Sequence, residues 1–238
     1  MKYNNCEIFK SYNQRNVNKN INFALLKIVK KLKNSKQENE RFLSIMEEFY
    51  SIQGEGFHTG KASYFVRTGG CDVGCSWCDE KDAWNANIHP LVSVDKIVER
   101  IEECPAKAVI VTGGEPLKYN LDYFCSELKK RNIKTYLETC GCYEISGEWD
   151  WICLSPKEIA ITNEKVFEFA DELKIIIFEE KDFLWAERCA AKVNKNCMLY
   201  LQPEWSRKEK NMQLIIDYAL KNTKWRISLQ NHKYMGIK

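Results

Sequence analysis

Short apolar runs alternate with longer segments of helical periodicity from about residue 47 to the end of the chain. The short runs are apolar on both faces, as strands are when helices cover both sides of a parallel sheet. The longer segments repeat their apolar positions every three or four residues, which is the period of an amphipathic helix. The pattern predicts strands at 62–68, 108–112, 134–139, 151–155, 172–178, 198–202 and 225–230, and helices at 93–103, 121–131, 182–193 and 211–222.

Polar, charged and glycine residues follow the predicted strands. Three cysteines follow strand 62–68, the sequence GGEP follows 108–112, and PK follows 151–155. Because the carboxyl ends of parallel strands share one edge of a sheet, we expect the active site at that edge. About 195 residues with six or seven strands is short of the ~250 residues of an eight-unit barrel. We therefore predict an α/β fold, an incomplete TIM-type barrel whose open side admits a sizeable cofactor.

The first 41 residues differ from the rest in composition. Residues 1–36 carry nine Lys or Arg against one acid, a net +8, whereas the remainder carries −5 and the whole chain +3. The stretch INFALLKIVKKLK (21–33) indicates a basic amphipathic helix, which suits a membrane surface or nucleic acid. A solvated or loosely docked extension is the more usual role of a basic tail. We predict a basic extension over 1–41 and one domain over 42–238.

Composition narrows the class of protein further. The chain is 45% hydrophobic and lacks an apolar run near the ~18 residues of a membrane span, and its start lacks a secretory signal. Its eleven cysteines form no regular disulfide framework, which favours a reducing cytoplasm with most thiols buried. The negative charge of the domain argues against nucleic acid as a partner. We expect a cytoplasmic protein without a membrane or nucleic-acid partner.

Three cysteines, Cys71, Cys75 and Cys78, fall within eight positions. A disulfide uses two thiols and a structural zinc uses four ligands, and the nearest histidines, His58 and His89, stand at no usual zinc spacing. A 4Fe–4S cluster on three cysteines leaves one iron open to bind a cofactor or substrate. The spacing favours the cluster, with zinc and inert thiols as the alternatives.

The segment CDVGCSWC resembles the cysteine loop of the radical S-adenosylmethionine (radical SAM) enzymes, and TGGEP (112–116) is similar to their glycine-rich cofactor motif. After residue 46, the segments SIQGEG, FVRTGG, YLETCG, LSPK, LQP and SLQNHKYMGIK resemble, in order and spacing, the 7-carboxy-7-deazaguanine synthases of that superfamily. The resemblance implies a 4Fe–4S cluster and S-adenosylmethionine (SAM). It also implies conversion of 6-carboxy-5,6,7,8-tetrahydropterin to 7-carboxy-7-deazaguanine with loss of ammonia, in the biosynthesis of queuosine and other deazapurines.

The same resemblance assigns roles to individual residues. The cluster is assigned to Cys71, Cys75 and Cys78. SAM is assigned to Trp77, Gly113, Gly114, Glu115, Glu138, Ser155, Lys157 and Gln202. The pterin is assigned to Gln53, Gly54, Glu55, Arg67, Thr112, Gln230, His232 and Lys238.

The residue chemistry suits these assignments. Glu115 is able to accept hydrogen bonds from the methionine ammonium, and Arg67 offers a fork for the substrate carboxylate. Glycine without a Cβ lets backbone approach a ligand closely. Ordinary roles stay open for four residues, namely loop packing for Trp77, ion pairs for Glu138 and Arg67, and a hydrogen-bonded strand end for His232.

Two positions depart from the resemblance. Glu80 stands where the family commonly has Thr or Ser beside a Mg²⁺ ion, so a carboxylate either replaces the hydroxyl or displaces the ion. Cys140 stands where Asn is usual. Cys140 and Cys142 raise the alternative of an auxiliary cluster, although one intervening residue spaces thiols poorly for it. Its further ligands would be Cys153, Cys189 or Cys197.

Partners and rival functions follow from the resemblance as well. We expect an external one-electron donor of the flavodoxin or ferredoxin type and a homodimer. The C-terminal segment is expected to fold over the site, with the Lys238 carboxylate as a ligand. The rivals are a glycyl-radical activating enzyme, which would not need SIQGEG or LQNHK, and a non-catalytic cysteine-rich metal-binding module.

Overall fold

A computed structural model describes residues 40–238, and its contacts group Arg41–Lys238 into one compact unit. The amphipathic helix predicted at 21–33 lies outside the described residues. The division into an extension over 1–41 and a domain over 42–238 therefore stays a prediction.

One mixed sheet of nine strands forms the centre of the described part, in the order β3-β1-β2-β4-β5-β6-β7-β8-β9. β2 and β4 to β9 run parallel, whereas β1 is antiparallel to both of its neighbours. β3 and β9 remain as separate edges, so the incomplete barrel predicted from the sequence is confirmed. The strands are β1 (Phe42–Ile52), β2 (Ala62–Thr68), β3 (Leu91–Ser93), β4 (Ala108–Gly113), β5 (Lys134–Thr139), β6 (Trp151–Leu154), β7 (Glu172–Ile177), β8 (Met198–Pro203) and β9 (Trp225–Ile227).

Helices cover the outer face of the sheet and bury their apolar stripes there. Two apolar layers result, one between the first strands and α1 and α2, the other between β6 to β9 and α3 to α5. No helix within residues 40–238 is long and apolar enough to cross a membrane. The helices are α1 (Val94–Glu103), α2 (Asp122–Lys130), α3 (Glu164–Phe169), α4 (Asp182–Ala190), α5 (Lys208–Lys221) and α6 (Asn231–Met235).

The sequence pattern missed the antiparallel strands β1 and β3. Glu47 and Glu48 interrupt the apolar pattern of β1, and the pairing of β1 with β2 is irregular between Ile45 and Glu47. The second half of β1 is half-buried, and its acids are paired, Glu47 with Arg67 and Glu48 with Arg100. Strands of this kind lack the continuous apolar run by which the parallel strands are recognised.

Candidate active site

A cavity of about 510 Å³ lies at the carboxyl ends of the parallel strands. This is the edge where parallel α/β sheets place their active sites. Of the predicted site residues, all except Glu115 line it. These are Gln53, Gly54, Glu55, Arg67, Cys71, Cys75, Trp77, Cys78, Glu80, Thr112, Gly113, Gly114, Glu138, Ser155, Lys157, Gln202, Gln230, His232 and Lys238.

The cysteine loop places three free thiols, Cys71, Cys75 and Cys78, along this cavity. A tight turn brings the Cys78 N–H to the Cys75 carbonyl at 3.0 Å, and Gly74 takes a φ of 68°. Burial raises the pKa of the Cys71 and Cys75 thiols, so an incoming metal must displace their protons. Within residues 40–238 no three His, Cys, Asp or Glu side chains converge on one metal ion. A 4Fe–4S cluster does not require this, because each cysteine binds a different iron.

Glycines interlock the ends of β2 and β4 beside that loop. Gly113 has a φ of 119°, and a Cβ there would lie 2.3 Å from the Thr68 nitrogen. A Cβ at Gly114 would lie 2.3 Å from the Gly70 oxygen, and the Gly114 N–H donates to the Thr68 carbonyl at 2.8 Å. The glycines that we assigned to close approach of a ligand are thus also required by the packing of the chain against itself.

A lysine connects the end of β6 with the cysteine loop. Lys157 Nζ donates to Ser155 Oγ at 2.6 Å and to the Ser155 carbonyl at 2.8 Å. The same ammonium lies 5.5 Å from the ring centroid of Trp77. These contacts bring three residues that we assigned to SAM to one side of the cavity.

The cavity is also lined by a buried network of Gln53, Glu55, Glu138, Lys174 and Gln230. Lys174, from β7, is 5% exposed in its side chain and pairs with Glu55 Oε2 at 2.6 Å and Glu138 Oε2 at 2.9 Å. Gln230 Nε2 donates to Glu55 Oε1 at 2.9 Å, and Gln53 Nε2 donates to Glu138 Oε1 at 3.2 Å. The predicted ion pair of Glu138 is therefore present, with a buried lysine as the partner.

Electrostatics in the buried network favour charged side chains. Burial opposes ionisation of Glu55, but Lys174 and the Gln230 hydrogen bond hold the pKa of its carboxyl below the usual value. Burial likewise opposes the charge on Lys174, but the acids Glu138, Glu55 and Glu172 raise the pKa of its ammonium. Each charge thus keeps the other ionised.

A second network, the rim network, consists of Glu47, Arg67, Glu80 and Lys238. Arg67 Nε lies 2.9 Å from Glu47 Oε1, and Arg67 Nη1 lies 3.2 Å from Glu80 Oε2. Lys238 Nζ lies 2.6 Å from Glu47 Oε2. Burial raises the pKa of the Glu80 carboxyl, although Arg67 opposes that rise. The acidic partners that we kept as an alternative for Arg67 are present.

The comparisons with known proteins agree with this geometry. The Radical SAM superfamily matches residues 65–176. A protein of Flavobacterium psychrophilum named 7-carboxy-7-deazaguanine synthase is 52% identical over 200 residues, which are 84% of this chain and 95% of that protein. The chain belongs to the 7-carboxy-7-deazaguanine synthase family.

Other synthases of this family match over a similar part of the chain. The 7-carboxy-7-deazaguanine synthase of Synechocystis sp. is 42% identical over 82% of this chain and 93% of that protein. The crystal structure of QueE from Escherichia coli has a TM-score of 0.73 and 28% identity, covering 80% of this chain and 95% of that chain. The radical SAM fold inferred from the cysteine loop is thereby confirmed.

Glu115 does not line the cavity, unlike Gly113 and Gly114 of the same motif. Its side chain lies outside the cavity lining and is 1% exposed. Its carboxylate accepts hydrogen bonds from Thr139 Oγ1 at 2.5 Å, the Cys140 N–H at 2.8 Å and the Leu117 N–H at 3.0 Å. These bonds tie the end of β4 to the end of β5. Contact of Glu115 with the SAM ammonium stays a prediction.

The cysteines proposed for an auxiliary cluster do not lie together. Cys140 Sγ contacts Glu115 Oε2 at 2.7 Å and lies 3.2 Å from Cys142 Sγ beside the cavity. Cys189 belongs instead to the apolar layer under α3 to α5, and Cys153 is 2% exposed within the sheet. The placement gives no support to an auxiliary cluster in the described part of this synthase.

The C-terminal segment closes one wall of the synthase cavity. The Asn231 N–H donates to the Gly54 carbonyl at 3.0 Å, and a Cβ at Gly54 would lie 2.3 Å from His232 Nδ1. Lys233 Nζ and Gln230 Nε2 both donate to Asp79 Oδ2, at 2.7 and 3.0 Å. Gly54 thus serves the packing of α6 against the loop after β1.

Sequence reasoning missed several residues that line the cavity, chiefly Glu47, Asp79, Lys174, Trp205 and Lys233. For Lys174 a signal was present, because a lysine inside the apolar strand ELKIIIF is costly unless acids surround it. Lys233 lies within the segment SLQNHKYMGIK and Asp79 directly follows Cys78, but neither motif indicates the partner of these side chains. The approach of all four residues depends on contacts between distant elements.

Proposed function

We propose that this chain converts 6-carboxy-5,6,7,8-tetrahydropterin to 7-carboxy-7-deazaguanine with loss of ammonia. The observation that carries the proposal is that one cavity joins the three-thiol loop to a wall of charged and amide side chains. Membership of the synthase family supports the same reaction. The rival glycyl-radical activating function leaves that wall, including Gln53 and Gln230, without a role.

The residues present fit a 4Fe–4S cluster and SAM. Three free thiols, Cys71, Cys75 and Cys78, line the cavity without a fourth cysteine beside them in the loop. The reduced cluster with SAM supplies, when bound, the carbon radical that begins the reaction. We assign the SAM carboxylate and hydroxyl groups to Lys157 and Ser155, and the ribose hydroxyls to Glu138, because an ammonium and a hydroxyl suit the former and a carboxylate acceptor suits the latter.

The chain's own residues orient the substrate. Arg67 offers the substrate carboxylate a fork that stays charged when partly buried. Glu55 stays ionised because its pKa is lowered, so it accepts hydrogen bonds from the N–H groups of the pterin edge. Gln53 and Gln230 supply both a donor and an acceptor. Burial lowers the pKa of His232, so its ring enters the site neutral at pH 7.

The carboxylates of Asp79 and Glu80 do not fit a Mg²⁺ site, so the proposed reaction uses no Mg²⁺ ion. Glu80 faces the Arg67 guanidinium, and Asp79 faces the Lys233 ammonium. Both carboxylates are therefore already neutralised by cations of the protein. We expect turnover to stay within about twofold after removal of Mg²⁺ by chelation and desalting, measured against the same enzyme with Mg²⁺ restored. A loss of tenfold or more, reversed by Mg²⁺, would contradict this reading.

The remaining partners belong to the proposal. An external one-electron donor of the flavodoxin or ferredoxin type is required to reduce the cluster. Free thiols and an iron–sulfur cluster persist in reducing compartments, which supports a cytoplasmic location. We also propose a homodimer, to be tested by the sedimentation velocity of the cluster-loaded protein.

The decisive experiment is anaerobic incubation of the reconstituted, reduced protein with SAM and carboxytetrahydropterin, followed by mass analysis. We expect 7-carboxy-7-deazaguanine and one ammonia per product. The Cys75→Ala variant, which lacks one thiol of the loop, controls for uncatalysed change. Cleavage of SAM without carboxydeazaguanine would reject the specific reaction while keeping the radical SAM chemistry.

A further inference from the structure

We propose that Lys174 is a positioning residue that couples pterin binding to SAM binding by sharing one buried ammonium between Glu55 and Glu138. The inference rests on the proposed function, in which Glu55 binds the pterin and Glu138 binds the SAM ribose. Lys174 contacts both carboxylates directly, at 2.6 and 2.9 Å. It lines the cavity, but we assign it no contact with either ligand.

The three residues come from separate parts of the fold. Glu55 lies in the loop after β1, Glu138 lies on β5, and Lys174 lies on β7. In the sheet, the strands β2 and β4 lie between β1, which precedes Glu55, and β5, which carries Glu138. Among the interactions described for these two acids, Lys174 is the charged group common to both. It is therefore the direct electrostatic connection between the two binding sites.

The other titratable groups around Lys174 do not replace Glu55 and Glu138 as its ion-pair partners. Glu172 lies on β7 as Lys174 does, and burial raises the pKa of its carboxyl. From β6, Cys153 is neutral because burial raises the pKa of its thiol. The ammonium is then shared by the carboxyl groups of Glu55 and Glu138. Removing it would leave two like charges with little solvent, and at least one of them would take up a proton.

A shared cation couples the binding of the two ligands, because fixing the position of one carboxylate also fixes the position of the other. With Lys174 in place, a ligand that holds one carboxylate also holds the ammonium and hence the other carboxylate. The second ligand then meets an acid that is already positioned, which increases its affinity. The coupling is reciprocal, so SAM must tighten pterin binding by the same factor as pterin tightens SAM binding.

Lys174 also determines how pterin binding depends on pH. Glu55 faces Lys174, Gln230 and, at longer range, Asp79 and His232. Lys174 is the cation that holds the Glu55 carboxyl ionised against its burial. Without Lys174 the pKa of this carboxyl rises, so protonation removes the acceptor as the pH falls. Pterin affinity should then weaken toward acid pH in the variant and change less in the wild type.

The test is a binding cycle on the cluster-loaded holoenzyme without reductant, so that SAM is not cleaved. The Kd of carboxytetrahydropterin is measured with and without saturating SAM, from pH 6 to 8, for the wild type, Lys174→Met and Lys174→Arg. We expect SAM to tighten pterin binding about 5-fold or more in the wild type. Lys174→Arg should retain part of this factor, and Lys174→Met should reduce it to about 1 and gain the pH dependence.

A weakening of pterin binding in Lys174→Met that leaves the SAM factor at its wild-type value would overturn the proposal, because a purely structural role predicts that result. Should Lys174→Met fail to fold, Glu138→Gln removes one shared acid and keeps the lysine, and it must also lose the coupling. A wild type that binds no pterin with or without SAM rejects the proposed function. A wild type that binds pterin without any SAM effect rejects only the role of Lys174.

Discussion

Two groups of residues around the cavity, called here the cysteine side and the carboxylate side, are held in place in different ways. The cysteine side consists of the loop with Cys71, Cys75 and Cys78 and the glycines of 112–116, held by tight turns and backbone hydrogen bonds. The carboxylate side consists of the buried network and the rim network, held by ion pairs between residues far apart in the chain. The difference suggests that backbone geometry determines the place of the cluster, whereas charge balance determines the place of the substrate.

The largest expected effect is on the cysteine side. Cys75→Ala removes one of three thiols, so the cluster should not assemble, because there is no other cysteine in the loop to replace it. Iron per chain after anaerobic reconstitution should fall from about four to near zero, and product formation should fall below detection. Cys104→Ala, a buried cysteine outside the cavity, serves as the control and should keep its iron. Full iron loading of Cys75→Ala would refute the assignment.

A smaller effect is expected at the rim network. Arg67→Met removes the fork proposed for the substrate carboxylate, so kcat/KM for the pterin should fall by about 10²-fold, which corresponds to a lost charged hydrogen bond. Iron content should not change, since Arg67 belongs to the carboxylate side. Arg100→Met removes an arginine whose partner, Glu48, lies outside the cavity lining, and it should keep wild-type kinetics. Equal losses in both variants would point to folding instead of substrate binding.

The smallest effect concerns pH and the loop that carries Glu55. His58, in the same loop, packs against Tyr136 and Trp151, and burial together with Lys61 lowers its pKa to about 4 from 6.5. Unfolded chains bind this proton at higher pH than the folded protein does. The free energy of unfolding therefore has its full value above pH 6.5 and falls by up to about 1.4 kcal/mol per pH unit as the pH drops toward 4.

Denaturant unfolding at pH 7, 6 and 5 measures this loss. His58→Phe keeps an aromatic ring and cannot titrate, so its stability should fall less than that of the wild type over the same range. Iron binding by the cysteine side should not follow this titration. Parallel pH curves for the two proteins would show that His58 does not contribute.

The same contrast explains what could be read from the sequence. Cys71, Cys75, Cys78 and the glycines after β4 are close in sequence, so their spacing alone predicts a site. Lys174 and Asp79 acquire their partners only through the pairing of distant strands and the return of α6 to the loop after β1. The carboxyl-edge position of the cavity was predictable from the alternation of strands and helices. The ion pairs within it were not, because charge partners carry no spacing rule.

The antiparallel strand β1 was missed for the same reason, since its charged residues have partners that are distant in sequence. Its acids, Glu47 and Glu48, interrupt the apolar period, although each is paired with an arginine in the folded protein. The hydrophobic pattern of the sequence shows that these acids interrupt the strand, but it does not show the arginines that pair with them. Glu115 is a further case, since a carboxylate in a cofactor motif is used here to join two strand ends.

The alternation along β7 has a consequence for folding fidelity. Lys174 and Ile176 line the cavity, whereas Leu173, Ile175 and Ile177 belong to the apolar layer under the helices. A slip of β7 by one residue against β6 or β8 would exchange the two faces and place an ammonium without acids among aliphatic side chains. An unpaired buried charge is far costlier than a lost apolar contact. Lys174 therefore penalises the misaligned sheet before any ligand is present.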